Sequence, residues 1–382
     1  MSASAWVRSA VGLVAALCLA SNAVADNGPA LPFDRIAMQK TMTPVTIDGR
    51  SYKLETLIFR ADDARPRPLA VISHGNPRDA DDRQSLSLNF LAPVAQDMAR
   101  RGYVAAVFAR RGFAGSEGRY VEGNGPCDEP DYVRAGKRAA EDYRAMIVAL
   151  RARADVDGGT TVAIGQSGGG FATLALGKGG APGLKGLINF AGGRGSTQDF
   201  RNCDEPKLAA AFGAWGAASA PPSLWLYSSA DRYFWPDLVD RMHRAYTGAG
   251  GRAMRPAIGA LKHFEDGHKL IERGNLPIWR PLIDRFLDAN GLPNWTAAPP
   301  DPVLLDDPGP PYLSDRGKER WRRFLGSGLH KAFVVYQDGR GFGWASGRES
   351  QAAAIADAMA FCEGSRRDRE CKPYAVNDAR VR

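Results

Sequence analysis

From Tyr52 onward, short runs rich in β-branched and apolar residues alternate with longer segments whose apolar residues recur at helical spacing. The candidate strands are residues 53–60, 69–73 (LAVIS), 103–109 (YVAAVFA), 160–165 (TTVAIG), 186–191 (GLINFA), 223–229 (SLWLYSS) and, less regular, 256–261 (PAIGAL). Several are apolar throughout, as strands covered on both faces should be. Helix-patterned segments at 85–102, 131–153 and 236–251 separate them. Parallel strands need long crossovers, so this rhythm predicts a mostly parallel sheet flanked by helices, an α/β architecture.

The rhythm stops at residues 290–313, where seven prolines break every periodicity and a semi-rigid linker is expected. Beyond it, residues 330–347 read as two short strands around an Asp338-Gly339 turn, and 349–364 as a helix. A chain of 382 residues with 44% apolar and 24% charged content has room for one large core and such an appendage. The division expected is a leader at 1–25, a catalytic domain at 26–290, a Pro-rich linker at 291–313 and a small α+β domain at 314–382.

The leader has one early charge, Arg8, an apolar stretch from Ala10 to Ala20 and small residues ending at Ala25, the grammar of a secretory signal. Its apolar run is short for a membrane anchor, so an exported, periplasmic or secreted protein without stable membrane insertion is expected. In that compartment disulfides persist. Without Cys18, the remaining Cys127, Cys203, Cys362 and Cys371 allow three pairings, and their positions favour Cys127 with Cys203 and Cys362 with Cys371. Neither pair has zinc-ligand spacing. The formal charge of +8 is spread through basic clusters interleaved with acids and apolar residues, and lacks the concentrated stripe that nucleic-acid binding needs.

Chemistry concentrates at AIGQSGGGF, residues 163–171, where Gly165, Gln166, Ser167, Gly168 and Gly169 fit GxSxG between a buried strand and a helix-forming segment. Such a corner strains the serine backbone and exposes its hydroxyl. A phosphate loop would need a lysine that this stretch lacks. A serine attacks only if a base takes its proton and an acid orients that base. Asp231 follows the strand at 223–229, with Asp237 as its weaker rival, and KHFEDGHKLI then offers His263 and His268. His268, after Gly267 and opening an expected helix HKLIERG, is favoured over His263. His243 reads as a helix-face residue and His330 as a structural one. The stretch VISHGNP puts His74, Gly75 and Asn76 after a central strand; because Pro77 has no N–H, the Asn76 N–H pairs with that of Gly168 as the expected oxyanion hole.

Together, His-Gly-Asn, GxSxG, a strand-end Asp and a late Gly-His resemble the α/β-hydrolase superfamily over roughly residues 30–290, most closely the dienelactone-hydrolase-like serine esterase group. RRGFAGSEG, residues 110–118, is similar to a glycine-rich turn of these hydrolases. The resemblance implies an α/β-hydrolase fold and a Ser167, His268, Asp231 triad that cleaves a small-molecule ester without metal or organic cofactor. It departs from true dienelactone hydrolases, whose nucleophile is cysteine, and HGNP also looks like haloalkane dehalogenases, whose nucleophile is aspartate. A peptidase or amidase of the same fold, and a non-catalytic envelope-binding protein with a vestigial site, are the alternatives. The cysteines at 127 and 203 are expected to brace two segments, 118–131 and 194–215, as a rim over the site.

Overall fold

The computed structural model describes residues 27–262, 264–272, 275–299, 307–328, 330–336, 341–364, 370–377 and 379–381. The expected leader, His263 and the Asp338-Gly339 turn lie outside the described residues. In chain order the elements of the larger unit are β1 (Ile36–Ile47), β2 (Arg50–Ala61), β3 (Arg67–Ser73), α1 (Ala92–Arg100), β4 (Val104–Phe108), α2 (Tyr132–Arg151), β5 (Val156–Gln166), α3 (Gly168–Gly179) and β6 (Leu184–Phe190). They continue as β7 (Ser196–Gln198), β8 (Arg201–Asn202), α4 (Glu205–Trp215), β9 (Ser223–Leu226), α5 (Pro236–Gly248), β10 (Ala253–Met254) and α6 (Leu276–Ala289).

These form an eight-stranded sheet in the order β1-β2-β4-β3-β5-β6-β9-β10. The pairs β1/β2 and β2/β4 are antiparallel and the rest parallel, so β2 alone runs against the others. Alternate side chains feed two cores. Leu69, Val71, Val104, Ala106 and Phe108 face the layer that holds Tyr143, Phe171, Phe212 and Met242. Ala70, Ile72, Ala105 and Val107 face the layer that holds Met98, Trp279, Ile283 and Phe286. The β3 and β4 runs read as wholly apolar because both faces are covered, by α2, α3, α4 and α5 on one side and by α1 and α6 on the other.

Three expectations shift. β1 was not anticipated; its burial alternates in its second half only, as befits an edge strand. The segment 256–261 supplies a single bridge, Ser228 to Ile258, and the last strand is Ala253–Met254 instead. Among its described residues the expected helix HKLIERG is only a 3-10 turn at Gly267–Lys269, and the next helix starts at Leu276, where Pro277 is tolerated because the first turn needs no N–H there. The first residues of the Pro-rich stretch pack on the larger unit: the Tyr103 hydroxyl donates to Pro293 O at 2.8 Å, and the Arg101 guanidinium lies 3.7 Å over the Trp295 ring.

The C-terminal unit comprises α7 (Asp315–Gly326), β11 (Ala332–Tyr336), β12 (Phe342–Ala345), α8 (Gln351–Glu363), β13 (Cys371–Val376) and β14 (Ala379–Arg380). Its strands form a separate sheet in the order β12-β11-β13-β14. Phe342, Trp344 and Tyr374 pack against a core of Trp321, Phe324 and Phe333. Both expected disulfides are bonded, Cys127–Cys203 and Cys362–Cys371. Among the described residues no helix is long and apolar enough to cross a membrane.

Candidate active site

β5 ends at Gln166, α3 begins at Gly168, and Ser167 makes the corner between them with φ 53° and ψ −120°. A residue with a side chain reaches this conformation only where its surroundings impose it. The imposing contact is backbone on backbone. A methyl group on Gly169 would lie 2.6 Å from His74 O and closer still to Ser73 O, so α3 starts flush against the end of β3. One on Gly75 would lie 2.8 Å from Ser167 Cβ, so the loop after β3 also touches the corner. Ser167 N–H donates to Phe190 O at 2.8 Å, tying the corner to β6.

On the far side, Asp231 follows β9 and is fully buried, its Oδ1 accepting the N–H groups of Tyr233 and Phe234 at 2.8 and 2.9 Å. His268 Nδ1 lies 3.1 Å from Asp231 Oδ2, a bond that fixes Nδ1 as the protonated nitrogen and leaves Nε2 for a partner. Asp266 Oδ1 accepts the His268 N–H at 2.9 Å and holds the turn. The Tyr233 ring stacks on the imidazole at 4.0 Å and 13°. The Arg78 guanidinium lies 3.7 Å over the same tyrosine ring. Two groups this close to one centroid must take opposite faces, so Tyr233 is sandwiched.

Ser167, Tyr233 and Phe234 line one cavity of about 230 Å³, together with Asn76, Arg83, Tyr120 and Arg194. The structure thus brings Asp231 and His268 into contact and puts Ser167 on the wall of the same cavity as Tyr233, which stacks on His268. Among the described residues Ser167 Oγ has no hydrogen-bond partner, so the Ser167–His268 bond is not formed here; such bonds commonly tighten with substrate. The backbone N–H groups of Asn76 and Gly168 likewise have no acceptor among the described residues, and a methyl group on Gly168 would lie 3.3 Å from Asn76 N, so the start of α3 lies close to Asn76. Cys203 also lines the cavity, and its bond to Cys127 joins segments 118–131 and 194–215 at the rim.

Other candidates fall away from the cavity. Asp237 is exposed in the first turn of α5. His243 packs edge-on against Trp225 at 5.4 Å, and His330 is buried in the C-terminal unit. His74 is fully buried, accepts the Arg110 N–H at Nε2 (3.1 Å) and sits 2.7 Å from Gly75 O through Nδ1. Burial, with Arg110 beside it, holds its imidazole well below the usual 6.5, so it is a neutral brace for the loop.

Sequence reasoning missed a buried arginine network. Arg110 Nε donates to Glu122 Oε1 at 2.8 Å, and Arg194 pairs with Glu122 Oε2. Both arginines also donate to Asn76 Oδ1, each at 3.1 Å, which locks the asparagine side chain. The only signal was position: Arg110 and Arg194 each follow a predicted strand end.

Residues 48–217 match the family model described as X-Pro dipeptidyl-peptidase (S15 family). An esterase of Pyrococcus furiosus is similar at 11% identity and TM-score 0.47, over 66% of this chain and 93% of that one. Esterase 2 of Thermogutta terrifontis is similar at 19% identity and TM-score 0.46, over 67% and 95%. Dipeptidyl peptidase 4 of Porphyromonas gingivalis is similar at 18% identity and TM-score 0.48, over 66% of this chain but 36% of that one. No curated protein matched. With a mostly parallel sheet of this strand order, helices on both faces and a strained serine between β5 and α3, the chain has the α/β-hydrolase fold.

Proposed function

We propose that this chain is an exported serine hydrolase that cleaves carboxylic esters, its catalytic unit spanning about residues 26–290. The observation that carries the reading is Ser167, held at φ 53° at the corner between β5 and α3 and on the cavity wall, the placement by which such a corner exposes a nucleophile. In this reading Ser167 Oγ attacks the ester carbonyl and His268 Nε2 takes its proton. Asp231, bonded to Nδ1, stabilises the imidazolium, and the N–H groups of Asn76 and Gly168 receive the oxyanion. His268 returns the proton to the departing alcohol, and water then releases the acyl group by the same steps.

The S15 match supports a peptidase as the second reading. An exopeptidase that reads a free amine would need an acid in its cavity, and among the described lining residues there is none. This favours esters. Export is supported by the leader and by the two disulfides. The test is a panel of p-nitrophenyl esters of two to six carbons against aminoacyl-prolyl anilides. Turnover of short esters by the wild type and not by Ser167→Ala is expected. Turnover of anilides alone would move the assignment to a peptidase.

A further inference from the structure

We propose that the cavity beside Ser167 recognises a carboxylate on the substrate, so that the preferred esters are half-esters of small dicarboxylic acids. This rests on the reading of Ser167 as nucleophile. The argument is one of charge. Arg78, Arg83 and Arg194 line the cavity, and no aspartate or glutamate does so among the described residues.

The compensating acids behind the wall are too few. Glu122 is shared by Arg110 and Arg194, so two buried guanidiniums face one buried carboxylate. The end nitrogens of Arg194 are taken by Tyr120, Glu122 and Asn76 and its Nε is buried, so Arg194 contributes its charge to the wall and not a free donor. Arg78 reaches Asp199 at 3.0 Å, but that carboxylate is 46% exposed and also lies 3.5 Å from Arg232. Arg83 spreads over the Tyr120 ring at 4.1 Å and bonds Ala80 O through Nε, with no carboxylate partner among the described residues. The acids of its own loop, Asp79, Asp81 and Asp82, are exposed and stand outside the lining.

An uncompensated buried cation is costly, and a substrate carboxylate entering this wall would offset that cost with charge-assisted hydrogen bonds. An apolar acyl group would leave the excess in place. The size agrees: about 230 Å³ is below the range of roughly 300–1,000 Å³ that holds drug-sized ligands, so the acyl group is short. The carboxylate is placed at Arg83, whose guanidinium spreads over the Tyr120 ring at the cavity wall, with the charge of Arg194, bonded to the Tyr120 hydroxyl, behind it.

The experiment compares 4-nitrophenyl hydrogen succinate with 4-nitrophenyl butyrate, which replaces the carboxylate by a methyl group. Hydrogen bonds to charged groups predict that wild-type kcat/KM favours the succinate by about tenfold or more. Within each variant only the ratio is read: it should collapse toward one in Arg83→Gln and invert in Arg83→Glu, while Arg50→Gln, a remote arginine, keeps it. A wild-type ratio of one or below overturns the proposal, as does a high ratio that both Arg83 variants retain. If neither ester is turned over, the reading of Ser167 fails, and calorimetry on Ser167→Ala still decides the anion site. Binding of monomethyl succinate but not of methyl butyrate upholds it, and equal or absent binding overturns it.

Discussion

The two halves of the site are held by different physics. Ser167 is fixed by backbone: glycine-lined contacts between the start of α3, the end of β3 and the loop at Gly75 leave it no other conformation. His268 is fixed by side chains: one bond to Asp231, one stack on Tyr233 and a single 3-10 turn capped by Asp266. A backbone-built corner gives way all at once and takes stability with it. A side-chain-built arm loses geometry in increments, and the fold survives.

That contrast can be broken or sharpened by substitution, beginning with the largest effect. Asp231→Asn removes the charge that orients His268, and kcat should fall on the order of 10⁴-fold with little change in thermal midpoint; steady-state kinetics beside calorimetry would check both. Gly169→Ala must push against carbonyls that cannot rotate away, and urea unfolding should show a loss of about 3 kcal/mol with activity lost in proportion. Tyr233→Leu removes the stack but not the Asp231 bond, and should lower kcat by about tenfold, with Tyr233→Phe restoring it.

The smallest effect is on pH dependence. Burial holds His74, His243 and His330 below the usual 6.5. The unfolded chain therefore takes up protons that the folded chain refuses as the pH drops below 6.5. Their contribution to stability is full above 6.5 and is lost on acidification between pH 7 and pH 5. Burial pushes the Asp142 carboxyl up to about 6, which works in the opposite sense over that interval. The histidine contribution is therefore read as the difference between wild type and His243→Gln, whose thermal midpoint should fall less between pH 7 and pH 5. An equal fall would contradict the buried, neutral state of that ring.

The same contrast governs what the sequence reveals. The corner was legible because its requirements are local: apolar strand, GxSxG and helix former are adjacent in the chain. The strands β3 to β6 were legible because burial on both faces leaves their central residues mostly apolar. The arginine network was not, since Glu122 meets Arg110 from 12 residues away and Arg194 from 72. The helix expected after His268 was misplaced because one apolar turn at Leu270 and Ile271 mimics helical spacing while packing as a loop into the core. β1 was hidden because its first half is largely solvated, and its twelve-residue pairing with β2 is set by the Asp48-Gly49 turn more than by alternation.

The account turns on Ser167, and a fluorophosphonate probe tests it most directly, because such a probe bonds only to an activated serine. Intact mass and peptide mapping should find one adduct per chain, on Ser167, abolished in Ser167→Ala and strongly slowed in Asp231→Asn. No adduct on the folded wild-type protein, or an adduct on another residue, would contradict the account.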